Sequence, residues 1–153
     1  MFSAFDPSTL SEPRFRDSFV YWDGKRVGRS MPSRRDIDPI EIPRLLPYVM
    51  LIDVLRDPLD FRYRLIGTEV RRILHGDYTG KRYTDVPGKG PGSVVWGDYE
   101  AVVARKEPLV STPPYVGPDK QVRRCRNLLM PLSDDGATVN MVLGVVVIER
   151  ERD

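Results

Sequence analysis

The sequence contains very little cysteine and histidine. Among its 153 residues there is one cysteine, Cys125, and one histidine, His75. A lone cysteine excludes an intrachain disulfide framework and any metal site built from several cysteines. The sequence also has no nucleophile elbow, no glycine-rich phosphate loop with a lysine and no spaced set of metal ligands. We therefore predict that the protein is not an enzyme, with no catalytic residue and no metal site, and the sequence identifies no cofactor.

A strong charge of one sign and a long hydrophobic run are also missing. Lys and Arg number 24 against 22 Asp and Glu, a formal net charge of +2, far from the balance of a dedicated nucleic-acid binder. The longest apolar run, residues 141–148, contains Gly144 and is about half of the ~20 residues that span a bilayer. The first six residues lack a signal-peptide pattern. We expect a soluble, cytoplasmic protein with no membrane partner, and nucleic-acid binding is the least favoured function.

The residues that are present suit one hydrophobic core, with 41% apolar and 30% charged residues. Near the N-terminus Phe15, Phe19 and Trp22 recur at spacings of four and three, which predicts an amphipathic helix. Because these rings are costly to leave in water, the helix packs on its own sheet or on a second copy. The three residues are our candidates for a homodimer interface. We assign residues 1–36 to this helix and a basic loop, and residues 37–150 to a single globular domain.

The rest of the chain contains strand patterns and helix signals. Runs of apolar residues and period-2 alternation predict strands over residues 49–55, 60–66, 109–115, 122–132 and 139–148. Asp38 is placed to cap a short helix that ends near Leu46. Thr68 and Ser93 are placed to cap two more, the second of which ends before Pro108. This order of elements predicts an α+β fold with an antiparallel sheet.

The elements follow the order of a PAS domain, and particular residues strengthen the likeness. They are Trp22, Arg26, Asp53, Pro131, Leu132, Gly136 and the residues at 31–34, 38–39, 45–47, 62–64, 67–68 and 76–80. With them the chain resembles the bacterial PAS_5 subfamily of small stand-alone PAS proteins. The resemblance implies a five-stranded antiparallel sheet of order 2-1-5-4-3, helices on one face and a cavity between them that holds ligands. It also implies sensing, signal relay and dimerisation, commonly through an N-terminal helix.

Apolar residues from several predicted elements are candidates to line such a cavity. They are Phe61, Tyr63, Leu65, Ile73, Trp96, Val103, Leu128, Met130, Met141 and Leu143. A filled core and a ligand pocket share the same alternation of apolar residues. The sequence therefore leaves open which of these side chains meet a cavity and which belong to the core.

Four arginines lie within ten residues of the basic loop. They are Arg26, Arg29, Arg34 and Arg35. Clustered guanidinium groups bind phosphate oxygens in pairs, so a nucleotide or cyclic dinucleotide would suit this loop. The alternative is that these arginines pair with Asp36, Asp38 or Glu41 and fix the N-terminal helix to the domain.

The lone histidine and the lone cysteine each allow a sensing role and a plainer one. Some PAS domains bind haem through a histidine, whereas His75 near a helix end is also favoured by the helix dipole. Cys125 lies between two arginines, superficially like the flavin-adduct motif of light-oxygen-voltage domains, but in a predicted strand and not a helix. If exposed, its pKa would fall beside the arginines and allow redox sensing. The strand pattern leaves open whether the thiol points to the core or to solvent.

We interpret the chain as a non-catalytic sensory or interaction module in bacterial signal transduction. It would act through contacts with a regulatory protein, such as a component of a histidine kinase pathway, and a small ligand would gate those contacts. The alternative is a receptor for a small molecule or nucleotide that uses the cavity or the arginine loop. A small enzyme is a third reading, and it would need a polar pocket with groups such as Asp53, Tyr63 or His75.

Overall fold

The computed structural model describes residues 5–151, in which five antiparallel strands form one sheet. The helices are α1 Pro13–Gly24, α2 Thr68–Arg71 and α3 Val94–Arg105. The strands are β1 Val49–Leu55, β2 Asp60–Ile66, β3 Leu109–Ser111, β4 Val122–Leu132 and β5 Met141–Arg150. Their order across the sheet is β2-β1-β5-β4-β3, and all neighbours are antiparallel. The predicted fold class and strand order are confirmed.

Three predicted elements differ in length or type, and proline explains two of the differences. The helix expected after Asp38 is instead two short 3-10 turns, Pro39–Glu41 and Leu46–Tyr48. Pro43 and Pro47 disfavour a continuous α-helix at the residues before them. Strand β3 ends at Ser111 and not at 115, ahead of two consecutive prolines that have no N–H to donate to the ladder. Strand β5 begins at Met141, two residues later than predicted, and continues to Arg150.

Helix α1 packs on β4 and β5 of its own chain. Proline at its first turn and the Glu12 side chain, which accepts a hydrogen bond from the Arg14 N–H, start the helix. Phe15 and Trp22 are both buried, and the Trp22 indole Nε1–H donates to the Pro131 carbonyl at 2.9 Å. Helices α2 and α3 border the cavity with Cys125, Asn127 and Val146, whose side chains point to the other side of the sheet, so that the sheet is covered on both sides.

The contacts of β4 show which side chains point toward α1. Arg126 pairs with Glu12 at 3.3 Å and its guanidinium lies over the Phe15 ring. Because successive side chains of a strand alternate, Leu128 and Met130 point the same way. Their partners on β5, Val145 and Leu143, share that face, and all are buried. We call this layer, with Met141 and Leu132, the α1 face; the opposite side of the sheet is the cavity face.

The segment after α1 is tied to the hairpin that joins β4 and β5. The Ser133 N–H donates to the Pro32 carbonyl at 2.9 Å, and the Ser30 hydroxyl donates to the Gly136 carbonyl at 3.1 Å. Within the hairpin Asp135 accepts bonds from the backbone N–H groups of residues 137 and 138 and from the Ser133 hydroxyl. These bonds lower the pKa of Asp135 to about 2.

The main core draws on the N-terminal segment as well as the sheet. Leu10, Phe15, Trp22 and Met31 belong to the same buried cluster as the side chains of the strands. Residues 5–36 are therefore packed into the domain that we assigned to residues 37–150. The boundary at residue 37 itself stays a prediction.

Candidate ligand cavity

A cavity of about 820 Å³ lies against the cavity face of the sheet. Its floor is formed by Met50 of β1, Cys125 and Asn127 of β4, and Val146 of β5. Residues from 70–76, 86–89, α3 and the segment 113–117 form the walls. Ligand pockets in proteins span roughly 300–1,000 Å³, so this space is large enough for a small organic molecule.

Tyr115 holds the segment 113–117 over the cavity. Its hydroxyl donates to the Ile73 carbonyl at 2.7 Å and accepts from the Asp119 N–H at 3.1 Å. Gly117 passes so close to the Tyr115 hydroxyl and the Ile73 carbonyl that a Cβ atom there would collide with both. Glycine at 117 is thus a steric requirement of this wall.

A cluster of aromatic rings closes one end of the cavity. Phe61 lies 4.9 Å from Trp96 and 5.3 Å from Tyr99, and Tyr83 lies 4.8 Å from Tyr63 (ring centroids). Tyr83 and Tyr99 are the rings of this group that reach the cavity. Burial raises the pKa of Tyr63, Tyr83 and Tyr99, so these hydroxyls stay protonated.

A few polar groups interrupt the apolar lining. Burial lowers the pKa of the Lys89 ammonium group. Burial also raises the pKa of the Cys125 thiol to about 11, although the positive charges of Lys89 and Arg150 oppose the shift. Asn127 is buried on the floor, and the buried Tyr99 hydroxyl interacts with Tyr83. The cavity is thus largely apolar with a small number of fixed polar points.

Of the ten side chains that we proposed for the pocket, Ile73 is the one that lines it in the described part of the chain. Leu128, Met130, Met141 and Leu143 point to the α1 face, because Cys125, Asn127 and Val146 occupy the cavity face of the same strands. Phe61, Tyr63 and Trp96 lie in the aromatic cluster, and Leu65 and Val103 pack at the edge of the main core. Because we chose the candidates by apolar character alone, most of them belong to the core and not to the lining of the cavity.

The sequence carried a signal for the residues that we missed. In β4, Arg124 and Arg126 alternate with Cys125 and Asn127, and a period of two places the charged pair on one side. The smaller, uncharged pair therefore faces the cavity. Lys89 had no such signal, because it lies in a segment rich in glycine and proline whose position depends on long-range contacts.

The four loop arginines are mostly engaged with their own chain. Arg26 pairs with Asp23, and Arg29 pairs with Asp36 at 2.8 Å. Arg34 donates to the Ile37 carbonyl at 2.8 Å, whereas Arg35 is exposed. The pairing of Arg29 with Asp36 matches the structural alternative that we raised for this loop.

The other candidate residues are spread over the molecule. Phe15 and Trp22 are buried against the sheet, and Phe19 is half-buried beside Trp22. Helix α1 thus packs its aromatic face within its own chain, and the homodimer stays a prediction.

His75 is exposed at the cavity wall, with Nε2 3.4 Å from the Val116 carbonyl. Asp53 pairs with Arg62 at 3.1 Å and does not line the cavity, so the groups proposed for an enzyme do not converge there.

Two features are absent from residues 5–151. No helix in this range is long and apolar enough to cross a membrane. Within the same range no three or more histidine, cysteine, aspartate or glutamate side chains are grouped so as to hold a metal ion.

Comparison with known proteins gives a family and a fold. A family model described as PAS_5, a PAS domain, matches residues 10–147. The crystal structure of a sensory box sensor histidine kinase from Vibrio cholerae is similar, with a TM-score of 0.51 and 16% sequence identity. The similarity covers 73% of this chain and 92% of that one. No curated protein matches the sequence. At this level of identity the structural likeness concerns the fold.

Proposed function

Because this chain belongs to the PAS_5 family of PAS domains, we propose that it is a sensory module of signal transduction whose cavity binds a small organic molecule. The observation that carries the proposal is the cavity of about 820 Å³ between the sheet, α3 and the segments around them. An apolar pocket of this size that is partly open to solvent lacks packing contacts for its lining. A ligand would supply those contacts.

The sheet offers a route from the cavity to the surface. Strands β4 and β5 carry Asn127 and Val146 on the cavity face and Leu128 and Val145 on the α1 face. A ligand that shifts these strands therefore changes the surface on which α1 packs. Packed layers switch between discrete arrangements, so a small shift of the strands is enough to move the helix. Helix α1 would report whether the cavity is occupied.

The output in this proposal is a protein contact and not catalysis. The similar protein from Vibrio cholerae is described as a sensor histidine kinase, which supports a regulatory partner of that kind for this chain. Val20 on the outer side of α1 is 69% exposed and is available for such a contact. The homodimer and the cytoplasmic location belong to the proposal and rest on the sequence pattern.

Native mass spectrometry of the purified chain tests the proposal with two matched variants. Val146→Phe adds a ring on the cavity face, and Val145→Phe adds the same ring on the α1 face. We expect the wild type to retain a small molecule at near-stoichiometric level, and we expect Val146→Phe to lose it while Val145→Phe keeps it. A wild type that carries nothing, and whose stability no small metabolite in a screen raises, would contradict a ligand-gated function.

A further inference from the structure

Lys89 is a cation without a counter-charge on the wall of the cavity. Its ammonium group makes no hydrogen bond or ion pair with any residue between 5 and 151, and it is partly buried. Lys25, by contrast, pairs with Glu41 at 3.0 Å, and Lys81 lies 5.4 Å from the centre of the Tyr78 ring. A molecule that fills the cavity would remove this charge from water, which is destabilising unless the molecule also supplies a partner. An anion in the cavity would supply one.

Uncharged donors accompany the ammonium group. Lys89 and Cys125 interact electrostatically, and Asn127 follows Cys125 on the same face of β4, roughly 7 Å along the strand. Asn127 is 8% exposed, and its side-chain amide has no hydrogen bond to another described residue. Tyr99, on another part of the wall, is 1% exposed, and its hydroxyl is buried. The side chain of Tyr83 interacts with that hydroxyl.

The lining has charges of one sign only. Among the described residues that line the cavity there is no aspartate or glutamate, whereas two lysines are present. Lys81 is exposed, so Lys89 is the cation that the cavity partly encloses. The surrounding wall is formed by valine, isoleucine, leucine and proline side chains. One enclosed positive charge suits one negative charge, and the apolar wall suits an apolar body.

We propose that the cavity binds an amphipathic organic anion, in which a single carboxylate binds Lys89 and the Asn127 amide while an apolar body fills the remaining space. This inference rests on the proposed sensory function and gives that function a ligand class. A neutral apolar molecule of the same size would leave the Lys89 charge uncompensated, so the carboxylate is the discriminating group.

Calorimetric titration with decanoate and with decanol separates the charge from the apolar chain. We expect decanoate to bind the wild type more tightly than decanol does. Lys89→Met should weaken decanoate binding about tenfold or more, since charge-assisted hydrogen bonds are lost, and should leave decanol binding unchanged. Lys81→Met is the matched control because it removes an exposed lysine at the same cavity, and it should change decanoate binding little. Lys89→Arg keeps the charge and should retain most of the affinity.

The possible outcomes distinguish this inference from the proposed function. Equal binding of decanoate and decanol, with no effect of Lys89→Met, would overturn the anion assignment and leave a ligand-binding cavity. Failure of both probes to bind a wild type that retains another molecule in the mass spectrometer would do the same. If neither probe binds, nothing is retained and Val146→Phe has no effect on any measurement, both ideas fail. A thermal melt of each variant establishes that it is folded.

Discussion

Strands β4 and β5 present their two faces to very different surroundings. On the α1 face, Leu128, Met130 and Val145 are buried under a helix from the same chain. On the cavity face, Asn127 and Val146 border a space of about 820 Å³. Adjacent residues of the same strand point to opposite faces. A shift of one position in the pairing register would therefore exchange the side chains that pack under α1 with those that border the cavity. Packing on the α1 face therefore stabilises the fold, and the cavity face does not have to be tightly packed.

The largest expected effect is on the filled face. Trp22→Ala removes a fully buried ring and its hydrogen bond to Pro131, and should lower the free energy of unfolding by about 3–5 kcal/mol. Urea denaturation followed by circular dichroism measures this loss. Val20→Ala, on the exposed side of the same helix, should change stability by about 0.5 kcal/mol or less. Equal effects of the two variants would mean that α1 does not rest on the sheet in solution.

A smaller effect on stability is expected when the same aromatic ring is placed on each of the two faces. Val145→Phe should cost about 1–3 kcal/mol because it overpacks a filled layer. Val146→Phe places the same ring beside open space and should cost less than its neighbour does. The two midpoints in urea, measured without added ligand, decide the matter. If Val146→Phe is the more destabilising variant, the cavity face is packed in solution and the comparison is wrong.

The next prediction concerns pH. Burial lowers the pKa of Lys89, so its ammonium group is charged below that value and neutral above it. Decanoate affinity should therefore fall as pH rises toward the lowered pKa, before an exposed lysine titrates. The other titratable residues lining the cavity are His75, Tyr78, Lys81, Tyr83, Tyr99, Tyr115 and Cys125.

The control for the pH series is Lys89→Arg, whose guanidinium stays charged throughout. Burial keeps Cys125, Tyr83 and Tyr99 neutral in this range. A fall in affinity that persists in Lys89→Arg would assign the pH dependence to another group.

The smallest effect is expected at the hairpin that sets the register of the two faces. Backbone N–H groups and the Ser133 hydroxyl lower the pKa of Asp135 from 3.8 to about 2. A lowered pKa means that the stabilisation is fully present above the unfolded value and is lost as pH falls from 3.8 toward about 2. Asp135→Asn should remove this part of the acid dependence. Thermal melts across that range test it, and an unchanged acid profile in the variant would refute it.

The elements could be predicted from local signals, whereas the cavity could not. The apolar run of β1, the alternation of β2 and the Ser93 side chain that caps α3 at 3.1 Å all act over a few residues. The lining of the cavity depends on which side chains of β4 point to the cavity face and on where the segments 86–89 and 113–117 fold back. The charged residues Arg124 and Arg126 indicated the direction of the β4 side chains, but we ranked residues by apolar character. The position of Lys89 follows from tertiary contacts that no local pattern encodes.

Cys125 has a practical consequence as the sole cysteine of the chain. Its thiol lies on the floor of the cavity, buried beneath the walls. Disulfide exchange requires the thiolate, and burial raises the pKa of this thiol to about 11, so disulfide-bearing fragments should react with it slowly at neutral pH. Because the chain has one cysteine, any covalent adduct marks this one location. Fragments that fit the cavity would be retained under mild reduction, while those that do not fit would be released. Cys125 is thus a slow but site-specific attachment point for fragments that enter the cavity.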